Sequence, residues 1–254
     1  MDSKIRFSNR VEQYVKYRPG YPAEGIDLLF GEAGFPTNGT IADVGSGTGK
    51  LTELLLERGP TVYAVEPNAD MRLAAETLLR ERYSDRYISV GGSAERTELA
   101  ERSVDAIAVA QAFHWFDLPQ TRKEFARVLK PDGPVALIWN KRRVDSDAFA
   151  EEYDRLLFDY ASDYDKVKHT RLGPEQYGAF FRDGDYTLRK FANRQLFNME
   201  ELAGRTASSS YTPLPGDERY AAFKAKLEEL YARHERDGRV AFEYETEVYY
   251  GQIG

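Results

Sequence analysis

One stretch, Ile41-Ala42-Asp43-Val44-Gly45-Ser46-Gly47-Thr48-Gly49-Lys50, constrains this chain more than any other. It reads as a buried strand, a tight glycine-rich turn and the start of a helix. Such a turn brings main chain close to a nucleotide-like ligand, because a Cβ at those positions would stand in the way. A dinucleotide fingerprint asks for G-x-G-x-x-G. Here Lys50 holds the third glycine's place, and Gly49 comes one residue early. Taken alone, the turn has a second reading, with glycines placed for conformation only.

A second apolar run, Thr61-Val62-Tyr63-Ala64-Val65-Glu66-Pro67, also ends in a carboxylate. Glu66 stands 23 residues after Asp43, close to the roughly 20-residue separation at which a βαβ unit sets an acid on ribose hydroxyls. A carboxylate can accept from both hydroxyls, which restricts the position to Asp or Glu. The plain alternative is a solvated strand end. The form D-x-G-x-G-x-G at 43–49 resembles motif I of the class I S-adenosylmethionine-dependent methyltransferases. That resemblance implies that Asp43, Gly45, Ser46, Gly47, Thr48 and Gly49 seat the methionine end of S-adenosyl-L-methionine. It sets Glu66 on the ribose with Pro67 and Asn68 beside it, and Met71 against the adenine.

The rest of the first half alternates in the same way. Strands are expected at 40–45, 61–66, 88–91, 106–110 and 134–140, with helices at 50–58, 69–82 and 118–129. Strands separated by helices of roughly 10–15 residues indicate a parallel, doubly wound α/β sheet. Asp117 caps the third helix and Pro119 sits in its first turn. Upstream, Phe7, Val11, Tyr14 and Val15 recur at helical spacing until Arg18-Pro19-Gly20-Tyr21-Pro22 stops them, and a second helix covers 24–30.

After Asn140 the pattern changes. Phe149, Tyr153, Leu156, Leu157 and Tyr160 form an amphipathic stripe, and 186–197 reads as a strand. Asn198 and Glu201 make a capping box for a helix ending near Gly204, and Tyr220 to Tyr231 mark a long helix. From Val240 to Tyr250 apolar residues alternate largely with acidic ones, which signals a half-exposed strand. No repeat, low-complexity tract or linker interrupts the 254 residues, so one domain with a helical insertion at about 141–186 is expected.

Composition narrows the function classes. Lys and Arg number 35 against 42 Asp and Glu, a net charge of −7 without a long basic run, which argues against nucleic acid as the main partner. Cysteine is absent, which removes disulfides, thiol catalysis and Cys-bound metals. The three histidines, His114, His169 and His234, are too scattered for a His metal site. No apolar run nears the roughly 18 residues of a membrane span, and Met-Asp-Ser-Lys does not begin a secretory signal. A soluble cytoplasmic protein without a membrane partner is expected, and no feature fixes an oligomeric state.

Two further stretches bear on the site. Gly91-Gly92-Ser93-Ala94-Glu95 follows the third strand, and the resemblance puts Ser93, Ala94 and Glu95 beside the adenine. Glu95 reads equally well as a helix-start carboxylate. Gln111-Ala112-Phe113-His114-Trp115-Phe116-Asp117 follows the fourth strand, whose end faces the transferable methyl in this family, so Gln111, Ala112 and Trp115 are expected along the cofactor.

The runs Ala112–Asp117, Arg127–Gly133 and Tyr14–Pro22 together resemble the branch that contains trans-aconitate methyltransferase-like proteins, with methyltransferase type 11/25-like domains. The likeness is strong over about 7–140 and loose beyond. It implies a Rossmann-like, seven-stranded, mostly parallel sheet with one antiparallel strand. It also implies an N-terminal helical lid bringing Tyr14, Tyr17 and Arg18 to the methionine end. An arginine pairs with the amino-acid carboxylate and a tyrosine ring faces the sulfonium. The plain alternatives are Tyr14 in a core stripe and Arg18 at a solvated helix end.

The implied reaction moves a methyl group to a small-molecule acceptor. In-line displacement at a sulfonium needs an aligned nucleophile about 3 Å away and little water. His114 suits the base for a hydroxyl or amine acceptor, or else packs beside Trp115 as cleft wall. A carboxylate acceptor needs no base and calls for cations such as Arg18, Arg142 or Arg143. The insertion's rings, Phe149, Tyr153, Tyr160, Tyr164, Tyr177, Phe180 and Phe181, are expected over the substrate pocket. Two other classes stay open. One is a nicotinamide-dependent oxidoreductase, against which Lys50 argues, and the other a non-catalytic S-adenosylmethionine-binding protein.

Overall fold

The alternating strands and helices of the first half assemble into a sheet whose central strands are buried on both faces. The computed structural model describes residues 15–161, 164, 172–209 and 211–253. The first elements are α1 (Ala23–Phe30), β1 (Thr40–Val44), α2 (Lys50–Leu56), β2 (Thr61–Val65), α3 (Ala69–Tyr83), β3 (Tyr87–Val90), β4 (Ala106–Ala110), α4 (Leu118–Val128) and β5 (Val135–Arg142). Then come α5 (Ala148–Tyr160), α6 (Pro174–Phe180), β6 (Thr187–Phe197), α7 (Met199–Ala207), α8 (Tyr220–His234) and β7 (Val240–Gly251). The expected N-terminal helix, Tyr14 included, lies outside the described residues apart from Val15–Tyr17, which are helical. No helix among the described residues is long and apolar enough to cross a membrane.

The seven strands lie in the order β3-β2-β1-β4-β5-β7-β6. Strands β1 to β5 pair in parallel, while β7 runs antiparallel to both β5 and β6. This is the expected Rossmann-like doubly wound sheet, with β7 as the reversed strand. From β1 the chain winds outward through β2 and β3, then returns to place β4 on β1's other side. The crevice at such a reversal opens beyond the carboxyl ends of β1 and β4. The glycine loop and the Gln111–Asp117 segment both emerge there.

Period-two alternation divides the core. Ile41, Val62, Ala106, Ala108 and Ile138 face Ile26, Leu29, Leu51, Leu55 and Leu79 on one side of the sheet. Ala42, Val44, Ile107, Val109, Val135 and Leu137 face Phe125, Val128 and Phe180 on the other. A third cluster joins Phe149, Tyr153 and Leu157 of α5 to Leu202, Phe223, Leu227 and Phe242. Helix α4 starts where its cap predicts, since Asp117 accepts from Gln120 N at 3.1 Å.

Two elements depart from expectation. Helix α7 does not end near Gly204 but continues to Ala207. Gly204 is a notch, because a Cβ there would lie 2.0 Å from the Tyr17 ring. Strand β7 is half-exposed only in its first part. From Thr246 to Tyr250 it is buried between its two neighbours. Even Glu247 is buried, with its carboxylate held by Lys141 and Lys190.

Candidate active site

Each glycine of the loop has its own reason. Gly45, Gly47 and Gly49 all take positive φ, +72°, +57° and +83°, a region that only glycine enters without cost. A Cβ on Gly45 would meet Ala112 Cβ at 2.5 Å, and one on Gly49 would meet Leu79 Cδ1 at 2.7 Å. Those two permit close packing of the loop. At Gly47 the nearest atom to such a Cβ is Met71 Sδ at 3.8 Å. That face of the loop is left open for approach.

Backbone bonds fix the loop to the end of β2. Gly45 N and Ser46 N donate to Val65 O at 2.8 and 3.1 Å. Gly47 N donates to Glu66 Oε2 at 3.0 Å and Asn68 N to Oε1 at 2.8 Å. Glu66 therefore ties the loop to the start of α3, which Asn68 caps by accepting from Met71 N at 3.0 Å. Each Glu66 oxygen keeps a further lone pair for a hydroxyl. Burial raises the Glu66 carboxyl above its ordinary range.

Asp43, at the end of β1, accepts from Thr52 Oγ1 at 2.6 Å through Oδ2. Its Oδ1 and the neighbouring Thr48 Oγ1 are buried without a hydrogen-bond partner. Burial, with the Glu66 charge adding to it, pushes the Asp43 carboxyl up to about 7.

A cavity of about 270 Å³ opens from this loop. Of the expected site residues it gathers Arg18, Asp43, Gly45, Ser46, Gly47, Thr48, Gln111 and His114 along its walls. Gln111 lies in the left-handed region, φ +60°, with its N–H bonded to Ile138 O at 3.0 Å. The His114 ring packs against Trp115 and Trp139, with centroids 4.4 and 5.2 Å apart.

The other expected residues stand outside the cavity lining. Glu66, Pro67, Asn68 and Met71 lie from the end of β2 into α3, against the glycine loop, and Gly49 and Ala112 are taken up by the loop's packing. Ser93 closes a turn with Arg96, and Ala94 is buried beside it. Glu95 starts no helix of its own but accepts from Asp117 N at 3.0 Å, at the N-cap of α4. Trp115 covers His114 and is 39% exposed. Tyr17 fills the Gly204 notch, and its carbonyl accepts from Gln195 Nε2 at 3.3 Å. Tyr14 lies outside the described residues. Of the insertion's rings, Tyr164 and Tyr177 reach the cavity, while Phe149, Tyr153, Phe180 and Phe181 are core.

Several lining residues escaped the sequence reading, namely Lys50, Trp139, Asn140, Lys141, Arg205, Tyr211 and Tyr244. With Arg18 and Arg142 they give the wall, among the described residues, five cations against one carboxylate, Asp43. Lys141 pairs with Glu247, and Arg142 donates to Asp154 Oδ1 at 2.9 Å. Arg205 is held differently: among the described residues its hydrogen bonds go to hydroxyls, and its guanidinium carbon lies 5.9 Å from the centre of the Phe242 ring. It donates to Tyr244 OH at 3.3 Å, Ser208 Oγ at 3.4 Å and Ser209 Oγ at 3.3 Å. Helical spacing carries a signal for it, since Arg205 falls three residues after the buried Leu202, on the same face of α7.

Known proteins resemble this chain in sequence and in fold. Residues 42–137 match the Methyltransferase domain family. An uncharacterized methyltransferase of Mycobacterium tuberculosis is 40% identical over 141 residues, which cover 56% of this chain and 54% of that protein. The chain thus spans about half the length of that relative. An uncharacterized methyltransferase of Schizosaccharomyces pombe is 31% identical over 233 residues, 88% of this chain and 86% of the relative. A proposed type II methyltransferase from Anaeromyxobacter dehalogenans has the same fold, with TM-score 0.62 and 23% identity over 93% of this chain and 98% of its own. So does geranyl diphosphate C-methyltransferase from Streptomyces coelicolor A3(2), solved with Mg2+, geranyl diphosphate and S-adenosyl-L-homocysteine, with TM-score 0.51 and 15% identity over 91% and 77% of the two chains. The near full-length match to the fission-yeast relative, on a sheet of this order with this loop at its switch point, shows that the chain belongs to the class I S-adenosylmethionine-dependent methyltransferases.

Proposed function

We propose that this protein transfers a methyl group from S-adenosyl-L-methionine to a small organic molecule held in the cavity. One observation carries the reading. At Gly47 the loop presents open main chain, backed by the Glu66 carboxylate on the Gly47 N–H. The unpartnered Asp43 Oδ1 and Thr48 Oγ1 beside it supply acceptors where a ligand's ammonium and hydroxyl groups need them. The acidic net charge of −7 supports a small molecule over a nucleic acid as acceptor. The runs at 14–22, 112–117 and 127–133 support the trans-aconitate methyltransferase-like branch.

When bound, the cofactor supplies an activated methyl on a sulfonium together with its leaving group. The chain's part is alignment and exclusion of water. Glu66 accepts the ribose hydroxyls through its remaining lone pairs, with Pro67, Asn68, Met71, Ser93 and Ala94 on the adenosine side. Asp43, Gly45, Ser46, Gly47, Thr48, Gln111 and Ala112 surround the methionine end. Gly49 and Glu95 act through packing and through the start of α4. Tyr17 anchors the segment that carries Arg18, and Trp115 holds the ring of His114. For a neutral hydroxyl or amine acceptor, His114 takes the proton that the nucleophile sheds.

The decisive experiment is a calorimetric titration with S-adenosylhomocysteine. Glu66→Ala weakens binding by more than about tenfold, the loss of charge-assisted bonds to both hydroxyls. Unchanged affinity in that variant, or equal binding of a nicotinamide dinucleotide, refutes the assignment.

A further inference from the structure

We propose that Arg205 is the centre of an anion subsite, at the end of the cavity away from the glycine loop, which grips a carboxylate or phosphate group of the methyl acceptor. Naming the acceptor rests on the methyltransferase reading; the anion site itself stands on the geometry of Arg205.

Arg205 is 7% exposed. A guanidinium stays protonated wherever it is placed. Removing such a charge from water costs several kcal/mol unless a counter-charge compensates. Its partners are neutral hydroxyls of Tyr244, Ser208 and Ser209, and among the described residues no carboxylate pairs with it. The other cations of this wall show what compensation looks like, with Glu247 on Lys141 and Asp154 on Arg142. Arg205 lines the cavity, so a ligand can supply what the protein does not.

The surroundings fit an anion. Arg18 reaches the same corner and donates to Ser208 O at 3.0 Å. Arg142 Nη1 is buried without a hydrogen-bond partner. All three cations collect in a chain whose net charge is −7. The planar guanidinium fork matches the two oxygens of a carboxylate or phosphate.

Position separates this corner from the cofactor's own carboxylate. Arg205 bonds to Tyr244 of β7, and β7 lies three strands from β1 in the sheet order. At about 4.8 Å per strand that is about 14 Å from the strand that feeds the glycine loop. One cavity spans both ends, with the cofactor's seat at the loop and the anion at α7.

The test uses the full chain saturated with S-adenosylhomocysteine and titrated calorimetrically with malonate, inorganic phosphate and malonamide, a neutral analogue of malonate. Wild type binds malonate or phosphate and not malonamide, and the tighter of the two anions tells carboxylate from phosphate. Arg205→Gln loses at least about tenfold in anion affinity, keeps its S-adenosylhomocysteine affinity, and Arg205→Lys recovers part of the loss. Phosphate or malonate raises the melting temperature of wild type and not of Arg205→Gln. The proposal is overturned if wild type binds neither anion, if malonamide binds as well, or if Arg205→Gln binds and is stabilised as wild type is. It is overturned equally if Arg205→Gln loses S-adenosylhomocysteine to the same degree, since the guanidinium would then serve the cofactor. Failure of wild type to bind S-adenosylhomocysteine strikes the methyltransferase reading instead, and anion titration of the unliganded chain still decides the subsite.

Discussion

Asp43→Asn tests the electrostatics of the site at its root. Asp43 is 1% exposed, and burial carries its pKa from 3.8 to about 7. In the unfolded chain the group is ionised above 3.8, whereas the folded chain holds the proton up to about 7. The folded state thus binds one proton more across that window. Linkage then makes wild-type stability fall as pH rises through it, an effect complete above the folded pKa. The full window is 7 − 3.8 = 3.2 units, worth about 4 kcal/mol at about 1.4 kcal/mol per unit. Between about pH 5 and pH 8, where both proteins can be handled, the share is roughly 2–3 kcal/mol. Asn keeps the size and an acceptor for Thr52 but does not titrate. Urea unfolding across this range gives a stability difference, Asp43→Asn minus wild type, that grows by that amount towards pH 8. Saturating S-adenosylmethionine, whose positive charge favours ionised Asp43, moves the window to lower pH. Two stability–pH curves that run parallel throughout would refute the reasoning.

Other perturbations report on packing and on a second carboxylate. Gly204→Ala puts a methyl 2.0 Å from the Tyr17 ring and costs about 1–3 kcal/mol of overpacking. In a Tyr17→Ala background the same change costs little, which a double-mutant cycle by thermal unfolding measures. Burial works against the Glu124 charge, yet hydrogen bonds from Arg127 and Thr97 hold its pKa down to about 2. Glu124→Gln therefore loses about 3 kcal/mol at neutral pH. That deficit shrinks as pH falls from 4.5 towards about 2, where wild type loses the same stability. A deficit constant with pH assigns the loss to packing.

Much of the sheet could be read from local pattern, because β1 to β5 are short apolar runs between helices whose caps are written in the chain. Asp117 and Asn198 both cap as expected. The loop and Glu66 were legible for the same reason, since strand, turn and acid lie within one βαβ unit. What local pattern could not carry was set by distant partners. Gly204 reads as a helix stop until the Tyr17 ring is seen to fill it. The alternation in 240–250 reads as one wet face, but β6 covers β7's free edge and lysines from β5 and β6 neutralise Glu247. The spacing from Leu202 puts Arg205 on the inner face of α7, but what it meets there, Tyr244 and the cavity, is set by a strand 39 residues on. The glycine-loop end of the cavity is local in sequence, and its other end is assembled from residues 18, 142, 205 and 244.

The placement of β7 has a consequence for how the molecule comes to be. The strand follows both of its neighbours in the chain yet lies between them in the sheet, with Arg142 opposite Tyr244 on one flank and Asn193 opposite Tyr244 on the other. Until it threads into that gap, β5 and β6 present bare edges that invite pairing with other chains. The corner around Arg205 also lacks Tyr244 until then. Nascent chains that stop short of this strand should therefore hold a formed glycine loop beside an unfinished far wall of the cavity, and the threading of β7 is the step that both closes that wall and hides the two open edges.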